Sequence, residues 1–293
     1  MKSQKNKKLI ILGSTGLLGN AILPKLSVSG FDIVSVGRTK GVDYISDVFN
    51  YEELCQTFIK EKPDIVLNLI AKTDVDHCEK NLDTAMLVNA RLVSTIVDAI
   101  INACPTTYFV QVSTDQIYNS TGLSREHQVE ILNAYGASKY AGEFAALRIE
   151  SVILRTNFFG RGNHSKRQSF SDWIFSQISL NNEIKLLKDV FFNPISIDSF
   201  CDVLIRVLRE KPSGVFNLGS KNGLSKFHFG LRFLEECGLA TDLVTGISYE
   251  SADFFTAKRP RDMRMCVVKL EDCLNISLPN LEDEIKKVTN EYV

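Results

Sequence analysis

The chain has 293 residues, 44% hydrophobic and 24% charged, a composition that supports a full buried core and excludes a disordered polymer. Its 34 basic and 35 acidic residues leave a net charge of −1, which gives no global pull toward nucleic acid or an anionic membrane, so neither is an expected partner. Seven scattered cysteines without a C-x-x-C pair read as reduced thiols of a cytoplasmic protein. The apolar run behind Lys2, Lys5, Lys7 and Lys8 ends after four residues, too short for a secretory signal, and no uninterrupted apolar stretch reaches the roughly 18 residues of a membrane span.

Strand-like and helical runs alternate from the start: strand 8–12, helix 17–29, strand 32–36, helix 51–61, strand 65–70, helix 84–103 and strand 108–113. Lys62-Pro63-Asp64 and Cys104-Pro105 end two of the helices. A helix over 135–149 and a strand over 152–155 follow. This order predicts an α/β fold, a Rossmann doubly wound parallel sheet, with residues 1–155 as the dinucleotide-binding domain. Residues 156–293 are less regular. A loop at Gly160-Arg161-Gly162-Asn163, helices at 170–180 and 198–209, a strand at 215–218 and turns at Pro212-Ser213-Gly214 and Asn222-Gly223 predict a smaller C-terminal substrate-binding region. Some of its elements are expected to return to the main sheet.

Gly13, Gly16 and Gly19 follow the first strand at three-residue intervals, with Ser14, Thr15, Leu17 and Leu18 between them. A strand that turns abruptly into a helix needs glycine for the turn, for approach of a diphosphate to the backbone, and for helix–sheet packing; the helix N-terminus then faces the anion. In an NAD site an acidic residue about 20 positions further on binds the ribose 2′-hydroxyl. Here the second strand ends Val36-Gly37-Arg38-Thr39-Lys40, and a guanidinium at Arg38 suits a 2′-phosphate. NADPH is the expected cofactor, with NADH as the alternative.

Tyr135 and Lys139 stand four residues apart on one helix face. An ammonium beside a phenol stabilises the phenolate and lowers a reference pKa near 10, so the pair can exchange a proton with a carbonyl or alcohol. Ser113-Thr114-Asp115 close a strand at its carboxyl end, where ligands of open α/β sheets bind. His77, His127, His164 and His228 lack metal-ligand spacing, so no metal site is expected. Trp173 and the aromatic stripe from Phe170 to Phe175 read as packing.

Together these residues resemble the extended short-chain dehydrogenase/reductases, and within them the dTDP-4-dehydrorhamnose reductases. Further matches are the run from Asn68 to Glu79, similar to N-x-A-A-Y-T-x-V-D-x-A-E, with Asn89-Ala90, the S-T-D at Ser113, and Leu154-Arg155-Thr156. The resemblance implies that Tyr135 protonates the nascent alkoxide, Lys139 holds the nicotinamide ribose and tunes Tyr135, and Thr114 hydrogen-bonds the substrate carbonyl. It further implies that Asp115 orients sugar hydroxyls, Ala71 and Lys72 line the cofactor near its ribose with Ser113, and Asp47 meets the adenine. Asn157, Asn193 and Arg259 are the remaining expected substrate contacts, Arg259 toward a diphosphate.

The departures concern the substrate half. Dehydratases of the superfamily carry T-D-E, but Gln116 follows Thr114-Asp115 here, and a neutral amide cannot act as the base of an elimination. The family's D-Q-x-G-x-P-T reads Asp189-Val190-Phe191-Phe192-Asn193-Pro194-Ile195, and its R-P-x-N-S-x-L-D reads Arg259-Pro260-Arg261-Asp262-Met263-Arg264-Met265-Cys266. The implied activity is reduction of a 4-keto sugar nucleotide for surface polysaccharide, with a homodimer as the assembly considered. The alternatives are an epimerase with bound NAD and a non-catalytic regulatory subunit resembling methionine adenosyltransferase beta.

Overall fold

In the apolar run before Gly13, Leu9 and Ile11 face one side and Ile10 and Leu12 the other, and all four are buried. A strand covered on both faces belongs in the middle of a parallel sheet. The computed structural model describes residues 6–38, 40–162 and 167–292. Lys2, Lys5, Thr39, Asn163 and His164, named above, lie outside them.

The first half runs β1 (Lys8–Leu12), α1 (Leu17–Ser27), β2 (Asp32–Gly37), β3 (Tyr44–Ile45), α2 (Tyr51–Glu61), β4 (Ile65–Asn68), α3 (Val75–Lys80), α4 (Leu82–Met86), a wide π turn (Leu87–Arg91), α5 (Leu92–Ala103), β5 (Tyr108–Thr114), α6 (Ala134–Ala146) and β6 (Ser151–Thr156). The second half adds β7 (Phe158–Phe159), α7 (Phe170–Ser179), β8 (Ile184–Leu187), β9 (Phe191–Phe192), β10 (Ile195–Ser196), α8 (Ile197–Glu210), β11 (Gly214–Leu218), β12 (Leu224–Ser225), α9 (Lys226–Glu236), β13 (Val244–Ile247), α10 (Val268–Leu274) and α11 (Leu281–Thr289).

Seven strands form one parallel sheet in the order β11-β6-β5-β4-β1-β2-β3. The chain leaves β1 toward β2 and β3 on one side and returns to β4 on the other, so the order reverses between β1 and β4. That is the doubly wound α/β Rossmann topology, with its ligand crevice beyond the strand ends at the reversal. β11, from the second half, pairs with β6 at the sheet edge.

Helices α1, α8 and α10 cover one face, and α2, α5 and α6 the other. Each large aliphatic or aromatic side chain so buried contributes about 1.5–3 kcal/mol relative to exposure. A third cluster, built by α7, β8, α9 and α11 around Phe159, Phe229 and Phe233, lies beside the sheet. Trp173 and Phe170 pack against it, the ring of Phe170 stacked at 6.1 Å on Trp173.

Two departures from the sequence reading bear on the frame of the site. β3 is a two-residue edge strand, too short to carry an alternation signal, which makes the strand at 65 the fourth in the chain and the strand at 108 the fifth. The expected single helix over 84–103 is interrupted by the π turn at Leu87–Arg91. There Asn89 accepts from the Lys72 N–H (2.8 Å) and donates to the Lys72 carbonyl (3.0 Å) and to Ser138 Oγ (2.9 Å). Non-local bonds to one amide side chain thus outweigh the regular helical ladder. The whole segment Leu82–Ala103 is apolar enough by length and composition to cross a membrane, with a hydropathy of 1.5. Its apolar residues Leu92, Val93, Ile96, Val97, Ala99 and Ile100 are buried against the sheet, as in a core helix.

At Gly142 on α6, a Cβ would stand 2.2 Å from the Asn89 carbonyl oxygen. Gly142→Ala is therefore expected to destabilise the protein by about 1–3 kcal/mol through overpacking, read as a lower midpoint in urea unfolding. A loss below about 0.5 kcal/mol would mean that α6 and the π turn part freely.

Candidate active site

β1 passes into α1 through Gly13, whose φ of +88° is strained for any side chain, and a Cβ there would lie 2.9 Å from Ile70 Cγ1. At Gly19 a Cβ would meet the Gly13 carbonyl oxygen at 2.5 Å, so this glycine lets α1 press against the turn. Gly16 is the N-cap residue of α1; no side chain caps the helix, and no acidic residue stands in its first turn. The free N–H groups and positive end of the helix dipole therefore remain available to an anion.

Gly13, Gly16, Leu17, Leu18 and Gly19 line a cavity of about 610 Å³ at the point where the strand order reverses. Ala71, Lys72, Ser113, Thr114, Asp115, Tyr135, Lys139 and Asn157 line the same cavity. Ser14 Oγ and Thr156 Oγ1 are buried and have no hydrogen-bond partner among the described residues. A buried hydroxyl without a partner costs roughly 1–3 kcal/mol, so the turn has the chemistry of a ligand cradle. Its glycines, open helix end and orphan Ser14 hydroxyl fit a dinucleotide diphosphate.

Asn133 caps α6 by accepting from the Gly136 N–H (2.8 Å), which starts the helix immediately before Tyr135. Tyr135 is buried, and burial pushes its phenol pKa well above the ordinary value; a hydrogen bond with Thr114 opposes the shift, while the Asp115 charge adds to it. Lys139 donates from Nζ to the Val112 carbonyl at 2.7 Å, and burial lowers its pKa to about 8. The expected lowering of the phenol by this ammonium is thus corrected: Lys139 is engaged by the β5 backbone, and desolvation dominates at Tyr135. The phenol is protonated at neutral pH, the form that donates a proton.

Asp115 lies at the end of β5, 2% exposed. Its Oδ2 accepts from Asn157 Nδ2 (2.7 Å) and its Oδ1 from Thr114 Oγ1 (3.3 Å). Burial raises its pKa to about 6 despite Asn157 and the positive charge of Lys226. Burial in turn lowers Lys226 to about 7. Thr114, Asp115, Asn157 and Tyr135 thus converge on one corner of the cavity.

Other expected site residues are placed differently. Ser113 lines the cavity, but its hydroxyl donates to Glu143 Oε1 at 2.5 Å, beneath the site. Asn193 is fully buried and its amide is consumed by the Ser220 carbonyl (2.6 Å), the Met265 carbonyl (2.9 Å) and the Met265 N–H (2.8 Å), so it fastens loops and is corrected as a substrate contact. Arg259 donates to Asp76 Oδ2 at 2.7 Å and lines a second cavity of about 360 Å³. Thr15 is exposed on the glycine turn. Arg38 is exposed at the end of β2, 5.7 Å from the centre of the Phe49 ring. Asp47 is also exposed and accepts from the Phe49 N–H (3.2 Å) in the turn that leads to α2.

The sequence reading missed Asn89 as the residue that holds the Lys72 backbone and Lys226 as a cation near Asp115. Asn89 stood within a matched dipeptide; Lys226 carried no signal, because its site depends on rings from β9 and α7. Glu143, which binds Arg155 from two sides, was equally silent as a lone acid on a helix.

A doubly wound parallel sheet, a glycine turn at its reversal point and a Tyr–Lys pair on one helix beside the cavity give the chain a fold of the extended short-chain dehydrogenase/reductase type. The RmlD substrate binding domain model matches residues 7–293, and the chain belongs to that family. It is similar to a probable low-salt glycan biosynthesis reductase of Haloferax volcanii, 26% identical over 287 residues that cover 94% of this chain and 95% of the relative. It is also similar to the dTDP-4-dehydrorhamnose reductase of Escherichia coli, 26% identical with 97% of each chain covered. Among solved structures, dTDP-4-dehydrorhamnose reductase from Bacillus anthracis in complex with NADP superposes with a TM-score of 0.87, 22% identity, and 98% and 99% coverage.

The raised pKa of Asp115 has a thermodynamic consequence. A carboxyl at 3.8 when unfolded and about 6 when folded binds its proton more tightly in the native state, so native stability falls as pH rises through this interval. Asp115→Asn is expected to stabilise the fold at pH 7 by up to about 3 kcal/mol. That gain should disappear near pH 4, as read from melting temperatures across the range; an equal gain at both pH values would contradict the assignment.

Proposed function

We propose that this protein is an NADPH-dependent reductase of the 4-keto group of a nucleotide-linked deoxysugar, of the dTDP-4-dehydrorhamnose reductase kind, acting in the cytoplasm for surface polysaccharide synthesis. The observation that carries the reading is the Tyr135 phenol, buried in the cavity that begins at the glycine turn and accompanied there by Thr114 and Lys139. The activities named for the Haloferax and Escherichia relatives support the same chemistry.

Gly13, Gly16, Leu17, Leu18 and Gly19 would hold the cofactor diphosphate, Ala71 and Lys72 its ribose, and Arg38 a 2′-phosphate; the bound cofactor supplies the hydride. The chain's own groups manage the oxygen of the substrate carbonyl. Thr114 donates a hydrogen bond to it and Tyr135 delivers a proton as it becomes an alkoxide. Burial suits this task, since a phenol that resists ionisation stays loaded until a strongly basic oxygen forms beside it. Lys139 is fixed by the Val112 carbonyl on the wall of the cavity. Asp115 and Asn157, bonded to each other, orient sugar hydroxyls. Gln116 offers no base for proton abstraction, so the site is built for reduction without elimination.

With a 4-keto-6-deoxy dTDP-sugar generated in situ, Tyr135→Phe is expected to lower kcat by about 10²–10⁴-fold while NADPH affinity stays within about threefold. NADPH consumption followed by absorbance checks this, and near wild-type turnover would remove Tyr135 from the chemistry. Arg38→Ala should raise the KM for NADPH about tenfold and leave that for NADH nearly unchanged. Equal effects on both cofactors would mean that Arg38 does not meet the 2′-phosphate.

A further inference from the structure

Lys226 opens α9 and tethers it through a backbone N–H to the Val190 carbonyl (2.9 Å). Its ammonium sits 3.2 Å from the centre of the Phe192 ring and 4.7 Å from that of Phe170. Among the described residues that ammonium has no ion pair and no hydrogen-bond acceptor. Aromatic faces stabilise a cation electrostatically, but they leave its N–H donors without lone pairs. A cation placed at the first residue of a helix also meets the unfavourable end of the helix dipole.

The ammonium borders the second cavity together with Gln116, Trp173, Arg259 and Met263. Gln116 lines the catalytic cavity as well, so the two spaces meet at its side chain. Its Nε2 donates to Met263 Sδ (2.9 Å), and its Oε1 is buried without a partner. Across this junction Asp115 feels the charge of Lys226, yet the two form no ion pair. A donor on the C-terminal half and acceptors at the end of β5 therefore face a space that no side chain spans. Arg259, the other cation at this wall with Lys185, is taken up by Asp76.

We propose that Lys226 is a specificity-determining residue that grips the sugar ring, donating to a ring hydroxyl whose own proton is accepted by Asp115 or Gln116. The inference rests on the nucleotide-sugar reading given above and adds the residue that reads the sugar ring. A donor on one wall and acceptors on the other match a polyhydroxyl ring.

Calorimetry with dTDP and dTDP-glucose tests this without relying on turnover. The wild type should bind dTDP-glucose more tightly than dTDP. Lys226→Met should weaken dTDP-glucose about tenfold and leave dTDP unchanged, with Lys226→Arg recovering part of the loss. Lys226→Gln, which keeps a polar donor, serves if the methionine variant fails to fold. In steady state the same variants should raise the KM of the keto sugar about tenfold with kcat within about threefold. Equal weakening of dTDP and dTDP-glucose would put Lys226 on the diphosphate and overturn the proposal, as would no weakening of either. Wild-type protein that binds neither dTDP nor dTDP-glucose would overturn the nucleotide-sugar reading itself, a result distinct from loss of sugar discrimination in the variants.

Discussion

The buried pair of Glu143 and Arg155 holds the chemical helix to the sheet. Both residues are nearly inaccessible, 2% and 3% exposed, and the guanidinium reaches the carboxylate through Nε (3.0 and 3.2 Å) and Nη2 (2.6 Å). The Ser113 hydroxyl completes the carboxylate, while Arg155 Nη1 is shared by the Tyr118 hydroxyl (2.7 Å) and the Glu126 carbonyl (2.6 Å). Removing one partner of such a pair typically costs about 3–5 kcal/mol, because the other charge is left dry. Tyr135, Lys139 and Glu143 recur at four-residue spacing on α6, so the pair sets the rotation of that helix. With it, the pair determines which side chains reach the cavity.

Above this anchor the site is dry on one side and unsatisfied on the other. The phenol is kept neutral by burial, and Lys139 is steadied by a backbone carbonyl rather than by its helical neighbour. Charge appears further out, in Asp115 and Lys226, whose ionisations are both suppressed by desolvation. Between them the protein leaves donors and acceptors apart, which hydroxyls of the proposed sugar would join. Under that proposal, orientation of two ligands against preplaced groups supplies much of the rate.

What was legible in the sequence followed local rules. The glycine spacing, the four-residue step from Tyr135 to Lys139 and the alternation of strands with helices each leave a pattern within a few residues. They placed the Rossmann sheet, and Tyr135 and Lys139 beside one cavity. What stayed hidden depends on contacts far apart in the chain. Asn193 shows the limit from one side: matched to a substrate segment, it is consumed by carbonyls 27 and 72 residues away. Lys226 shows it from the other, since a lysine that opens a helix reads as a solvated charge until the rings of Phe170 and Phe192 are seen beside its ammonium. The direction of the Tyr135 shift was missed for the same reason, because desolvation is set by the whole fold and not by a neighbour at four residues.

The π turn at Leu87–Arg91 bears on how such a site is maintained. Each residue of an α-helix advances the helix by about 100°, so a turn closed five residues back instead of four takes in one surplus residue. The helix therefore changes phase in mid-course. The turn and the helix on both sides of it pack on α6, while the residues after it also enter the cluster that lies against the sheet. A uniform helix could not present Asn89 to the Lys72 backbone and keep Val93, Ile96 and Val97 in the core at once. The irregularity works as a gear between two surfaces, and removal of one residue there would disengage the loop at Lys72 while the sheet beneath it remained intact.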